Sequence, residues 1–316
     1  MVSPPDDFDA FQALSARLGA DPLQIQGPGG NTSLKADGAM WIKASGTELA
    51  RARTDDVFVA VDLARARAEI DGAGDGTCRA AMLDGASPIR PSIETTFHAL
   101  LPQRVVLHTH SVLALAHVTS DEGTEAALGK LSGMGAVAVP YRKPGLPLTL
   151  AIREALRPDT RVLLLRNHGL IVAGDTVAEA DERIREVENR LALPVREAEP
   201  DLAPAPNGWV APVGTEAVDE RATEGSFWPD HVVFLGPGLA SSVGDALAEQ
   251  RAAFADGRAL LRVDAPPVAA AMLRCLSDVF ARLPKDWTPR PIGREAEAAL
   301  MDWDAEAYRQ KLAGRG

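Results

Sequence analysis

From residue 8 to about 193, short apolar runs alternate with stretches whose apolar side chains return at helical spacing, and this alternation narrows the possible folds more than any other feature. Runs that read as strands lie at 40–43 (Met-Trp-Ile-Lys), 57–61, 104–108, 136–141, 162–165 and 170–173. Helical patterns occupy 8–18, 92–101, 111–118, 149–156 and 176–192. The first helix runs into Gly27-Pro28-Gly29-Gly30-Asn31, which reads as a loop. The pattern predicts a mixed α/β unit.

Between about 194 and 230 the texture changes, because Pro194, Pro200, Pro204, Pro206, Pro212 and Pro229 interrupt any regular element. Beyond them, 231–235 reads as a strand, 242–256 as a helix, 259–263 as a strand and 267–283 as a helix. Two domains are expected, at 1–200 and 205–316, the second a smaller α/β unit of unassigned role. Trp209, Trp228, Trp287 and Trp303 all fall in this last third and read as anchors of the small domain on the larger one. Gly236-Pro237-Gly238 lacks the G-x-G-x-x-G spacing of a dinucleotide turn.

Composition removes several function classes. Hydrophobic residues at 46% and charged residues at 24% belong to a folded globular chain. A net charge of −11, with no basic run, argues against nucleic acid as a partner. Cys78 and Cys275 form no C-x-x-C pair, which fits a reducing compartment and excludes a thiolate zinc site. Asp6, Asp7 and Asp9 stand where a signal peptide needs a basic start, and no stretch of membrane-spanning length is apolar. A cytoplasmic protein without a membrane partner is expected.

The histidines carry the chemistry. His98, His108 and His110 crowd into thirteen residues, and His168 sits in the turn Asn167-His168-Gly169 between two apolar runs. On a strand, the imidazoles of His108 and His110 project to one face and can share an ion. A third imidazole, most simply that of His168, would make a three-histidine site with an open position, as catalytic metal centres have. Spacing alone also admits separate core histidines. Glu94 precedes His98 by four residues and reads either as a general base near such an ion or as a carboxylate capping the helix. Gly29-Gly30-Asn31-Thr32-Ser33 and Lys43-Ala44-Ser45-Gly46-Thr47 offer close backbone approach and donors to a phosphate or carboxylate.

Taken together, these segments resemble the class II aldolase/adducin family over about residues 8 to 193. The resemblance rests on Gly30-Asn31-Thr32-Ser33, Ile42-Lys43-Ala44-Ser45-Gly46-Thr47, Ser92-Ile93-Glu94, His108-Thr109-His110, Pro140-Tyr141 and Asn167-His168-Gly169-Leu170. It implies a three-layer α/β/α fold with a mainly antiparallel central sheet, here extended by the smaller C-terminal α/β domain. It also implies that His108, His110 and His168 bind a divalent metal, Zn2+ first and Mn2+, Co2+ or Ni2+ as alternatives. Glu94 takes the place of the acid/base carboxylate, and Gly30, Asn31, Lys43, Ser45, Gly46, Arg90 and Ser92 form the substrate or phosphate pocket. Tyr141 matches a tyrosine that a neighbouring subunit presents as proton donor, which implies a homotetramer with active sites between subunits. His98 is expected to support the site, and His117 and His231 to be structural.

The activity so implied is a reversible aldol cleavage of a sugar or sugar phosphate through a metal-stabilised enediolate. An epimerase, decarboxylase or dehydratase of a sugar acid or sugar phosphate is the alternative on the same scaffold, and a non-enzymatic adducin-like module the third. One departure bears on the substrate. Ile93 follows Ser92 where phosphate-using relatives carry a second hydroxyl residue, so one phosphate donor is missing.

Overall fold

The structure is a computed structural model that describes residues 3–85, 89–199 and 203–303. A seven-stranded sheet forms its centre: β1 (Asn31–Ala36), β2 (Ala39–Lys43), β3 (Phe58–Asp62), β4 (Val105–Thr109), β5 (Ala136–Val139), β6 (Val162–Leu165) and β7 (Gly169–Gly174). Its order is β3-β2-β1-β4-β7-β6-β5, and every neighbouring pair is antiparallel except β5 with β6. Both faces are covered, so the strands read as nearly continuous apolar runs.

Alternation along the strands assigns the layers. Leu34, Val105, Leu107, Leu170 and Val172 face α1 (Phe8–Ala20), α4 (Val112–Val118), α5 (Asp121–Lys130) and α7 (Val177–Arg190). Val106, Ile171 and Ala173 face α3 (Thr95–Leu100) and α6 (Leu146–Ala155), while α2 (Leu63–Ile70) covers β2 and β3 on that side. This is the three-layer α/β/α arrangement with a mainly antiparallel sheet.

Beyond residue 203 the chain builds a second sheet, of order β8-β10-β9, from β8 (Trp209–Val210), β9 (Ala252–Ala255) and β10 (Arg258–Arg262). Three helices accompany it: α8 (Pro229–Leu235), α9 (Pro267–Arg282) and α10 (Arg294–Met301). The expected boundary at 200 and chain end at 316 lie outside the described residues. The core of this region takes in Val112, Leu115 and Ala116 of α4. One helix is thus shared between the large sheet and the small one.

Several expectations are corrected. Residues 231–235 are helical, because Pro229 supplies the fixed φ of a first helical turn and a five-residue apolar run does not distinguish a strand from a buried helix. The segment 242–256 is not a helix; it ends in β9, whose hairpin with β10 turns on Asp256-Gly257 at φ 53° and 77°. The loop expected through Ser33 becomes strand β1 from Asn31 onward, turning at Asp37-Gly38 into β2. Helices α2 and α5 also form where no helix was expected.

The tryptophans behave unequally. Trp228 is fully buried, its indole donating to Met272 Sδ at 3.3 Å. Trp287 packs on the His117 ring of α4 at 5.0 Å, and Lys143 lies over the ring of Trp303 at 4.4 Å. Trp209, in β8, is half-buried. No helix among the described residues is long and apolar enough to cross a membrane. Removing the largest of these buried side chains, Trp228→Ala, is expected to lower unfolding stability by about 3–5 kcal/mol. The check is the denaturant midpoint against the parent protein.

Candidate metal centre and active site

The site forms at the end of β4. His108 is the fourth residue of that strand and faces the α3 layer, with the Phe97 ring edge-on at 5.6 Å. His110 lies two residues further on, so both rings leave the chain on one side. Antiparallel pairing sets Asn31 of β1 opposite His108. His168 enters from the turn between β6 and β7, where Asn167 holds φ at 52° and Gly169 is required, since a Cβ there would lie 2.4 Å from the Thr109 carbonyl. The ring centroids of His108, His110 and His168 are 5.0, 5.0 and 5.4 Å apart, and one nitrogen from each lies within 4.8 Å of the others. All three are buried.

Glu94 occupies the N-cap position of α3, yet its side chain makes no capping hydrogen bond. The carboxylate turns to the histidines instead. Oε2 lies 3.4 Å from His108 Nε2 and accepts a hydrogen bond from Asn31 Nδ2 at 2.8 Å; Oε1 lies 3.4 Å from His168 Nε2. His98 stands behind them as a support. Its Nε2 donates to Asn31 Oδ1, and its Nδ1 accepts from Ser33 Oγ at 2.8 Å, which fixes the Asn31 amide with its NH2 toward Glu94.

Burial governs the charges. It pushes His108 down to about 4 and His168 down to about 3, each only partly offset by Glu94, so both imidazoles are neutral at pH 7. Burial would raise the Glu94 carboxyl, but the His108 and His168 rings, the Asn31 hydrogen bond and His110 outweigh it and hold the group below its ordinary 4.5. His108 Nδ1 donates to the Leu170 carbonyl at 3.0 Å, which leaves Nε2 with a lone pair. His108 Nε2, His110 Nδ1, His168 Nδ1 and Glu94 Oε1 are buried without a hydrogen bond. Three imidazoles, two of them neutral by burial, and a carboxylate with unused acceptor capacity are the donor set that Zn2+ and similar divalent ions take.

A cleft opens beside these groups, and Gly30, Asn31, Lys43, Ser45, Gly46 and Ser92 line it together with Glu94, His110 and His168. The cations of the expected pocket behave differently from the expectation. Lys43 Nζ donates to the carbonyls of Pro28 at 2.6 Å and Gly30 at 2.9 Å, and so braces the glycine loop. The Arg90 side chain is exposed and lines a separate depression; its carbonyl accepts from the Ser45 amide at 2.8 Å.

Tyr141 is not brought to the cleft. Its hydroxyl is buried, and burial with the charge of Glu297 on α10 pushes its pKa up to about 12. Within this one chain Tyr141 stands apart from the cleft, near the charge of Glu297, and the expectation that it serves a neighbouring subunit's site concerns a partner chain. His117 and His231 are buried away from the cleft, the first bonded to the Leu113 carbonyl at 2.7 Å.

One residue was missed. Asp230, at the start of α8, lines the cleft, and its Oδ2 lies 3.0 Å from His110 Nδ1. The available signal was an acid inside an otherwise apolar segment, Phe227-Trp228-Pro229-Asp230 through Leu235, where carboxylates are rare unless they have a task.

Comparison with known proteins bears on this geometry. Residues 13–194 match the model of the Class II Aldolase and Adducin N-terminal domain. An uncharacterized oxidoreductase, YuxG, of Bacillus subtilis is 32% identical over 188 residues, 54% of this chain and 27% of that protein. The chain thus spans about a quarter of that relative's length. L-fuculose phosphate aldolase of Methanocaldococcus jannaschii is 24% identical over 180 residues, 55% of this chain and 87% of the relative. Among solved structures, the N-terminal class II aldolase domain of a conserved Thermoplasma acidophilum protein superposes with a TM-score of 0.52 at 26% identity, covering 60% of this chain and 94% of that one.

The buried histidines make stability depend on pH. His108, His117, His168 and His231 titrate near 6.5 when unfolded but at about 4 or about 3 when folded, so between those values the unfolded chain binds more protons. Stability of the metal-free protein is expected to be complete above about pH 6.5 and to fall as pH drops toward 4. Urea midpoints at about pH 7.5 and about pH 5 check it.

Proposed function

Because the chain belongs to the family of the class II aldolase and adducin N-terminal domain, we propose that it is a metal-dependent lyase. It cleaves and re-forms a carbon–carbon bond of a sugar or sugar phosphate by a reversible aldol reaction. The observation that carries this reading is the convergence of His108, His110 and His168 with Glu94 in one buried cleft. A divalent ion, Zn2+ by its match to three imidazoles, would be held by His108 through Nε2 and by His110 and His168. When bound, that ion supplies Lewis-acid stabilisation of the negative charge that develops on the substrate oxygen as the bond breaks.

This chain's residues do the remaining work. Glu94 is the acid/base: Asn31 holds Oε2, while Oε1 has no hydrogen bond and is the atom placed to take and return a proton. Ser92 Oγ already accepts from Asn31 Nδ2 at 3.0 Å and from the Glu94 amide at 3.2 Å, so its own proton is left to donate. With Ser45 and the backbone at Gly46, it receives the anionic end of the substrate, a phosphate or a carboxylate. The segment after about 205 acts as a second unit, capping the first. A homotetramer with sites between subunits is the setting the family resemblance implies, in the cytoplasm that the cysteine usage and N-terminal residues suggest, with Tyr141 of one subunit as proton donor at the site of its neighbour.

Elemental analysis of the purified protein is expected to find about one divalent ion per chain, and His110→Ala to lose most of it. Stoichiometric metal in that variant would refute the ligand assignment. Glu94→Gln should keep metal but lower turnover on the order of 10²-fold or more, measured on a panel of ketoses and ketose phosphates. Two carbon fragments as products support aldol cleavage. An isomerised product, released carbon dioxide or lost water would assign the epimerase, decarboxylase or dehydratase reaction instead.

A further inference from the structure

Asp230 lies outside the residues that match the family model, which end at 194, yet it reaches the histidine cluster. Its carboxylate and the His110 ring are both buried, with Oδ2 3.0 Å from Nδ1. Three features deliver it there. Asn167, next to the cluster residue His168, donates through Nδ2 to the carbonyls of Phe227 at 3.0 Å and Arg290 at 2.8 Å, tying the C-terminal segment to the turn that carries the histidine. Trp228 locks the preceding position into the core shared with α4. Pro229 then sets the first helical turn, so Asp230 follows with little freedom.

The opposite wall is shaped to admit the contact. A Cβ on Gly29 would sit 2.8 Å from Asp230 Oδ2 and 3.0 Å from His110 Nδ1, so only glycine lets the loop close over the pair. Gly29 is not among the positive-φ residues, which makes space rather than backbone conformation its reason for being there.

We propose that Asp230 is a positioning residue of the metal centre, a carboxylate supplied by the C-terminal segment that holds His110 as a ligand. The inference rests on the reading of His108, His110 and His168 as metal ligands. An anionic oxygen beside Nδ1 favours the tautomer with its proton there and the lone pair on Nε2, fixes the ring and raises its basicity. A buried acid with only a packing role would also survive at this place in the fold. What separates the two is metal affinity, which a packing role leaves alone.

The experiment is competition for Zn2+ between a chromophoric chelator and the full-length protein. Asp230→Ala is expected to bind Zn2+ about 10- to 100-fold more weakly than the parent. Asp230→Asn keeps the shape, loses the charge and should fall between them. Gly29→Ala, which leaves the carboxylate in place but forces it from the ring, should weaken binding as well. Melting of the metal-free proteins is followed alongside. Parent-like affinity in folded Asp230→Ala and Asp230→Asn overturns the inference, as does an affinity loss that only tracks the fraction unfolded. If the alanine variant fails to fold, the asparagine variant decides. A parent that binds no ion removes the ligand reading and this inference together, whereas a parent that binds one ion with indifferent Asp230 variants removes this inference alone.

Discussion

Burying the carboxylate of Glu94 in an ionised state is unfavourable unless the groups around it return the lost hydration, and much of the fold serves that requirement. The return comes from the Asn31 hydrogen bond to Oε2, while His108 Nε2 and His168 Nε2 lie 3.4 Å from the carboxylate on two sides, where a cation held by the histidines would add to it. Asn31 delivers its NH2 only because His98 occupies its oxygen, and His98 is held in turn by Ser33. Asn31 and Ser33 are two apart on β1, opposite His108 and Val106 of β4. A slip of one residue in that pairing would turn the whole chain of contacts to the other face of the sheet. Register, therefore, is what the carboxylate depends on, and the polar side chains of Asn31 and Ser33, which find their buried partners only in this pairing, oppose a slip.

A second dependence runs through α4. That helix starts directly after His110 and Ser111, with the Ser111 hydroxyl accepting from the Ala114 amide as its N-cap. Ala114 and Val118 pack on the large sheet, while Val112, Leu115 and Ala116 belong to the C-terminal core. The strand that carries His108, with His110 just past its end, thus leads directly into the helix on which the C-terminal region is seated. The Asn167 amide adds a second tie from the turn that carries the third. Displacing the C-terminal region would disturb both approaches to the cluster at once.

Much of this was legible in the sequence, for reasons that differ from residue to residue. β4, β6 and β7 are buried on both faces and show as plain apolar runs, so the spacing of His108, His110 and His168 could be placed on a strand and in a turn. β1 was hidden by the glycines before it and by its polar side chains, which face buried partners rather than water. The hairpin at Asp256-Gly257 carried its signal openly, but alanines and acids upstream gave 242–256 a helical texture that no packing supports. Tyr141 stood in a readable motif and Asp230 stood out as an acid in a largely apolar segment, but the surroundings of neither could be read locally. The charge of Glu297 near the first and the ring of His110 beside the second come from distant parts of the chain, and such approaches leave no periodicity to read.

Under the proposed function, how the cleft would meet an anionic substrate follows from the same accounting of donors. Two of the three ammonium protons of Lys43 go to the carbonyls of the loop it braces, and the Arg90 guanidinium faces another depression. Ile93 contributes no hydroxyl. At the wall stand the proton of Ser92, left to donate by its two incoming bonds, Ser45, the glycine backbone at Gly30 and Gly46, and Lys43. A phosphate dianion is best met by a guanidinium fork, which adds two parallel charged bonds and a fixed orientation. Here Lys43 both braces the loop and lines the cleft, beside neutral donors. Under the proposed function, discrimination between a sugar, a sugar acid and a sugar phosphate would fall on the Ser45 and Ser92 hydroxyls together with Lys43, without a guanidinium fork at the wall.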